Sequence, residues 1–178
     1  MPPVPAGRGA PGVRLLDAGS AHLDPTELRR WARGVTERTG ALCTSRSYRY
    51  PYALVSWHSH PIGVDIERIT TWEPAFADLI CTEPERRHPA CRADPDRYLT
   101  SLWCSKEALA KALGDARRYE PSRLESPTGW PPEGSGPWRA APIGVAPGFV
   151  AWLCWQQVDV DSNPGGRSPT GRSIPAVP

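Results

Sequence analysis

The segment 62–67 places two carboxylates where they could bind a cation. Its residues alternate with the two-residue period of a β-strand, so Gly63, Asp65 and Glu67 share one face opposite three apolar side chains. Two carboxylates this close repel each other unless they share a cation or a proton. Hard oxygen ligands suit Mg²⁺. The pattern alone favours a simpler alternative, an edge strand with a solvated acidic face.

A second segment, 101–113, has the period of an amphipathic helix. Its apolar stripe consists of Leu102, Leu109 and Leu113. Trp103, Glu107 and Lys111 follow one another at i, i+4 and i+8 on a neighbouring arc, and Lys106 lies between that arc and the stripe. The chain has 19 arginines but only these two lysines, so its compact ammonium groups are concentrated here. The common alternative is a simple Glu107–Lys111 salt bridge along the helix.

Together the two segments predict a site for phosphoryl chemistry. Asp65, Glu67 and Glu107 could hold a Mg²⁺ ion that carries a pyrophosphate. Lys106 and Lys111 could neutralise the remaining phosphate charge. Phosphoryl transfer requires little beyond positioning, a metal ion and cations around the developing charge.

The elements that must position these residues predict an α+β fold. Strands are expected at 13–16, 52–57 and 62–66, the last two as a hairpin, and at 138–145 and 149–155 as a second hairpin. Asp24 is expected to cap a helix that ends near Arg38. Shorter helices are expected at 72–80 and from Thr82. Asp96 is expected to cap a helix over 97–113 that ends at Gly114.

Composition excludes several classes of protein. No apolar run approaches the length of a transmembrane helix, and the first residues lack the apolar stretch of a signal peptide, so we expect a cytoplasmic protein without a membrane partner. A net charge of +2 with scattered arginines argues against nucleic-acid binding. Five cysteines without a CxxC pair are expected to be free thiols.

The two charged segments carry a family resemblance. Residues 63–67 read G-V-D-I-E, residues 103–111 read W-C-S-K-E-A-L-A-K, and Asp65 precedes Glu107 by 42 positions. This order and spacing resemble the 4′-phosphopantetheinyl transferases. The similarity extends over about residues 45–155 and includes Thr82 to Glu85, where the family often has F-[ST]-x-x-E. The resemblance implies a 4′-phosphopantetheinyl transferase-like fold of two similar subdomains with the active site between them.

The resemblance also implies a reaction. The phosphopantetheine arm of coenzyme A moves to a serine of an apo acyl or peptidyl carrier protein, and 3′,5′-ADP is released. Asp65, Glu67 and Glu107 would be the Mg²⁺ ligands, with Glu107 also the candidate base for the carrier serine. Lys106 and Lys111 would contact the phosphates.

The chain resembles the larger, surfactin-type branch of the family with an abbreviated N-terminal half. We expect a flexible tail at 1–12, an N-terminal subdomain at 13–61, a C-terminal subdomain with both motifs at 62–155, and a disordered tail at 156–178.

Two features bear on coenzyme A binding. Ser45-Arg46-Ser47 resembles the S-H-S of that branch with Arg in place of His, which makes Ser45 and Arg46 candidate coenzyme A contacts. The upstream G-[KR]-P loop of the family has no convincing match. Arginines of the first helix could replace it, although a solvated helix face is the simpler interpretation. These are Arg29, Arg30 and Arg33.

Two other hypotheses remain. A repurposed or inactive relative would keep the metal and lysine motifs with altered coenzyme A or carrier use. A non-enzymatic carrier- or synthase-binding module would have no need of all five charged motif residues.

Overall fold

The computed structural model describes residues 10–158, which form two three-stranded antiparallel sheets with helices packed on them. The strands are β1 Gly12–Asp17, β2 Cys43–Arg49, β3 Tyr52–His58, β4 Ile62–Arg68, β5 Trp138–Pro142 and β6 Phe149–Gln156. The first sheet has the order β1-β3-β2 and the second β4-β6-β5. The expected α+β class is confirmed, whereas the division into two similar subdomains stays a prediction. Most of the two expected tails lies outside the described residues, but Gly12 and Gln156 belong to strands.

The helices are α1 Pro25–Glu37, α2 Pro74–Ile80, α3 Glu83–Arg87, α4 Ala90–Ala93 and α5 Pro95–Leu113, with short 3-10 turns at Pro121–Arg123 and Pro127–Gly129. Asp24 caps α1 as expected, because its carboxylate accepts from the Thr26 and Glu27 N–H groups. The expected start of α5 is wrong. The cap is Asp94, whose carboxylate accepts from the Arg97 N–H, and proline occupies the first turn. None of the helices in the described part of the chain has the length and apolarity to cross a bilayer.

The predicted hairpin over 52–66 is wrong. β3 pairs with β1 and β2, and β4 pairs with β6, so residues 59–61 carry the chain from one sheet to the other. The true partner of β3 in a hairpin is β2, whose polar and basic sequence gave no strand signal. The hairpin of β5 and β6 is confirmed.

Three of the apolar clusters hold the two sheets, α1 and α5 together. α1 covers the first sheet through Leu28, Ala32 and Val35. Leu54 of β3 packs with Val64 of β4 in a core between the sheets. The other face of the second sheet is covered by α5, which contributes apolar side chains at Ala108, Leu109 and Ala112. A fully buried leucine stabilises the folded state by about 1.5–3 kcal/mol. The expected apolar stripe of α5 ends before Leu113, which is 46% exposed.

Candidate active site

Gly63 brings α5 directly onto β4. A Cβ atom at this position would lie 2.0 Å from the Ala108 carbonyl oxygen and 2.6 Å from the Ala112 nitrogen. Only glycine permits this approach, because such distances lie inside the van der Waals contact of any side chain. The approach brings Lys111 of α5 within reach of the strand that carries Asp65.

Asp65 is 3% exposed, so the solvated acidic face is the wrong interpretation of this strand. β4 is an edge strand of its sheet, but its free edge faces β2, where the hydroxyls of Ser45 and Ser47 accept from the N–H groups of Val64 and Ile66. The Asp65 Oδ1 atom accepts from the Ser47 hydroxyl at 2.7 Å and from the Lys111 ammonium at 2.6 Å. Its Oδ2 atom is buried and has no hydrogen-bond partner in the described part of the chain.

Glu67 lies two positions further along the same strand face. Its carboxylate pairs with the Arg49 guanidinium of β2, which is 47% exposed. Burial raises the pKa of Glu67, the charge of Asp65 raises it further, and Arg49 opposes both. The negative charge of this strand face is therefore only partly compensated by the protein's own cations.

Glu107 faces the same region from α5. Its Oε1 atom accepts from the Tyr119 hydroxyl at 2.5 Å, while Lys111 pairs with Asp65, so the simple intrahelical Glu107–Lys111 pair is not what the two side chains form. Burial raises the pKa of Glu107, the Tyr119 hydrogen bond opposes this, and the charge of Asp65 adds to it. Asp65 therefore acts electrostatically on both glutamates, on Glu67 in its own strand and on Glu107 in the helix packed against it.

Lys106 lies apart from this group. Its side chain is 0% exposed, and Nζ donates to the Glu85 carboxylate at 2.7 Å and to the carbonyl oxygens of Ile80 at 2.6 Å and Pro121 at 2.8 Å. Burial lowers the pKa of Lys106, and Glu85 opposes this shift. In this arrangement all three ammonium hydrogens are used inside the protein. The expected phosphate contact of Lys106 is therefore not supported by its position.

The candidate coenzyme A contacts line a groove next to Lys111. Ser45, Arg46, Arg29 and Arg33 border a cavity of about 450 Å³ together with Lys111. The Arg46 Nη1 donates to the Thr36 hydroxyl at 2.7 Å. Arg29 and Arg33 border this groove and are exposed to solvent, so their positions fit both a groove contact and a solvated helix face. Four cations around one groove favour an anionic ligand.

The donor set suits a hard divalent cation. The Oδ2 atom of Asp65 is buried without a hydrogen-bond partner in the described residues, and burial raises the pKa values of Glu67 and Glu107. Carboxylate oxygens are the ligands that suit such a cation. Within residues 10–158, however, no three His, Cys, Asp or Glu side chains are already gathered as a metal centre. Arg49 pairs with Glu67, so binding a metal would require that pair to open, whereas the Tyr119 hydrogen bond uses only the Oε1 atom of Glu107.

A comparison with protein families follows the same segments. The model of the 4′-phosphopantetheinyl transferase superfamily matches residues 61–129. The match begins just before β4 and ends with the second 3-10 turn, so it includes Asp65, Glu67, Glu107 and both lysines. It supports phosphopantetheinyl transfer as the general class of activity, and hence a transferase. No curated protein matches the sequence.

Several residues of the site were missed by the sequence-based reasoning. Ser47 belongs to the Ser45-Arg46-Ser47 motif but is not among the expected contacts, although alternation places it on the same strand face as Ser45. Glu85 stands at the glutamate of the family's F-[ST]-x-x-E stretch, which was a usable signal. Arg49 and Tyr119 gave no signal, because their partners are 18 and 12 residues away in the chain.

Proposed function

We propose that this protein transfers the 4′-phosphopantetheine arm of coenzyme A to a serine of an acyl or peptidyl carrier protein, as a compact surfactin-type enzyme. The observation that carries the proposal is the Asp65–Lys111 pair with its unpartnered carboxylate oxygen, beside a cationic groove. Both residues lie in the segment that matches the family.

Asp65, Glu67 and Glu107 are the residues that would hold Mg²⁺. When bound, Mg²⁺ would neutralise charge on the pyrophosphate of coenzyme A. Lys111 would neutralise charge on the same pyrophosphate from the side of the groove. Its side chain is 25% exposed, so the ammonium can contact a phosphate oxygen while it remains beside Asp65. A cation in this position favours the transition state because charge develops on the leaving phosphate.

Glu107 is the proposed base for the carrier serine. Tyr119 donates to its Oε1 atom, which leaves Oε2 to accept the serine proton directly or through water. The raised pKa of Glu107 brings its basicity nearer to neutral pH than that of an ordinary glutamate. A base with this property accepts a proton more readily as the serine oxygen attacks phosphorus.

The groove is the proposed site of the nucleotide end of coenzyme A. Arg46 lies where the larger branch has histidine, and its planar guanidinium can form two parallel hydrogen bonds to a phosphate. Arg29 and Arg33 on α1 add positive charge at the same groove and take the place of the missing G-[KR]-P loop. Carrier proteins generally present an acidic helix, which these arginines could also meet at the rim.

Intact-protein mass spectrometry tests the proposal. The protein is mixed with Mg²⁺, coenzyme A and a panel of apo carrier proteins. We expect a carrier to gain the mass of one phosphopantetheine group, and Asp65→Asn to abolish the gain. Asp78→Asn is the matched control, because Asp78 is an exposed partner of Arg86 and does not line the groove. A full gain with Asp65→Asn would contradict the carboxylate assignment.

The same experiment distinguishes the proposed transferase from the alternative, a repurposed or inactive relative of the family. A repurposed relative would bind coenzyme A, detected as a rise in melting temperature, without modifying any carrier. Arg46 in place of histidine and the internal partners of all three carboxylates are the observations that keep this alternative in view.

A further inference from the structure

Two consecutive residues of α5 bind one short segment of the following loop. Glu107 accepts from the Tyr119 hydroxyl at 2.5 Å, and Lys106 donates to the Pro121 carbonyl oxygen at 2.8 Å. The two contacts are separated by a single residue, Glu120. The helix and the loop are therefore joined at two points, one at Glu107 and the other at Lys106.

The contact between Lys106 and the loop is fixed. Its Nζ is enclosed, and two of its three partners lie outside the loop, at Ile80 and Glu85. Glu85 itself also accepts from the N–H groups of Thr82, at the start of α3, and of Ser126, which follows Tyr119 and Pro121 in the loop. An ammonium with all donors used inside the protein has little freedom to move.

The position of Tyr119 is fixed by backbone contacts on both sides of it. The Tyr119 N–H donates to the Asp115 carbonyl oxygen at 3.2 Å, and a 3-10 turn starts at Pro121. A tyrosine held on both sides delivers its hydroxyl to one place. Burial raises the pKa of Tyr119 above its ordinary value, and the hydrogen bond to Glu107 raises it further, so the hydroxyl remains a donor.

We propose that Tyr119 is a positioning residue for the Glu107 carboxylate, and that Lys106 acts through it by anchoring the segment that carries Tyr119. The inference rests on the proposed function in so far as Glu107 is taken as a cation ligand. One hydrogen bond to Oε1 restricts rotation of the carboxylate and leaves Oε2 without a hydrogen bond from Tyr119. Outer partners of this kind contribute about 10–100-fold to metal affinity when they orient a ligand.

Direct measurement of Mn²⁺ binding tests the inference without coenzyme A or a carrier protein. The signal of free Mn²⁺ in electron paramagnetic resonance is followed for the full chain and two variants. Tyr119→Phe removes only the hydroxyl, and we expect affinity to fall about 10–100-fold. Tyr98→Phe is the matched control. It also removes one hydroxyl, which donates to the Glu85 carbonyl oxygen at 2.9 Å, and affinity should stay unchanged.

A double-mutant cycle separates positioning from general loosening. In the Glu107→Gln background, Tyr119→Phe should cause little further loss of Mn²⁺ affinity, because its effect passes through the Glu107 carboxylate. An equal additional loss would overturn the inference, as would unchanged affinity in Tyr119→Phe or no Mn²⁺ binding by the unaltered protein. If affinity falls as expected but no carrier is modified, the inference stands and the proposed transferase function fails.

Discussion

Replacing Lys106 by methionine should destabilise the fold severely rather than merely impair phosphate binding. The side chain is completely buried, and its ammonium supplies donors to Ile80, Glu85 and Pro121 at 2.6–2.8 Å. Methionine fills a similar volume but donates nothing. The Glu85 carboxylate, 11% exposed, would then keep only the N–H groups of Thr82 and Ser126.

The expected magnitude follows from the charge left behind. Removing one partner of a buried ion pair costs about 3–5 kcal/mol, because the other charge stays desolvated. A domain is stable by about 5–15 kcal/mol, so Lys106→Met should lose a large part of the free energy of unfolding. With a urea m-value of about 1–3 kcal/mol/M, the unfolding midpoint should fall by at least about 1 M.

Urea unfolding followed by tryptophan fluorescence provides the measurement. Lys106→Met combined with Glu85→Gln should recover much of the loss, because no uncompensated charge remains. Arg123→Met is the control, since the Arg123 and Glu120 side chains are 81% and 63% exposed and such a pair contributes about 0–1 kcal/mol. A loss below about 1 kcal/mol in Lys106→Met would contradict the stabilising role of the buried Lys106 contacts. Lys106 would then again be a candidate phosphate ligand.

Three further predictions concern the helix contact, the carboxylates and the groove. Gly63→Ala should lower the free energy of unfolding in urea by about 1–3 kcal/mol and reduce transfer, because its Cβ overlaps the backbone of Ala108. The control is Gly129→Ala, whose Cβ meets nothing within 4 Å and which should lower the free energy of unfolding less. Equal losses in the two variants would argue against the close approach of α5 to Gly63. In a chelator at neutral pH, Glu107→Gln should melt at a higher temperature than the unaltered protein. Because the pKa of Glu107 is raised in the folded state, the contribution of Glu107 to stability is present below pH 4.5 and is lost as pH rises through the folded-state pKa. The difference in melting temperature between Glu107→Gln and the unaltered protein should therefore vanish in acid. A difference of the same size at every pH would contradict this. Arg46→Ala should weaken binding of coenzyme A more than of 3′-dephospho-coenzyme A in calorimetry, and equal losses would remove Arg46 from the 3′-phosphate.

Much of the local structure could be read from the sequence because its causes are local. Asp24 and Glu27 form their capping box within one turn, and Gly114 ends α5 with φ of +78°. The Asp65 strand and the Glu107 helix carry their periodicity in adjacent residues. The same holds for the candidate carboxylates and for Lys111, whose types and spacing alone singled them out.

Strand pairing could not be read in this way. β2 is polar because its serine hydroxyls bind the backbone of β4, so it lacks the apolar alternation that predicts a strand. The hairpin expected over 52–66 failed for the related reason that β3 is buried between two partners of its own sheet. Such pairings depend on residues that are distant in the chain, and a local pattern carries no information about them.

The direction of each charged side chain was likewise decided by tertiary structure. Lys106 and Lys111 are five positions apart on one helix, yet one is enclosed by the loop after α5 and the other reaches Asp65. The sequence by itself determined which strand carries Asp65 and Glu67, and which helix carries Glu107 and both lysines. Only the packing of α5 on Gly63, and the return of Tyr119 to Glu107, decided which partner each charged side chain has, because burial and opposite charge select partners across space rather than along the chain.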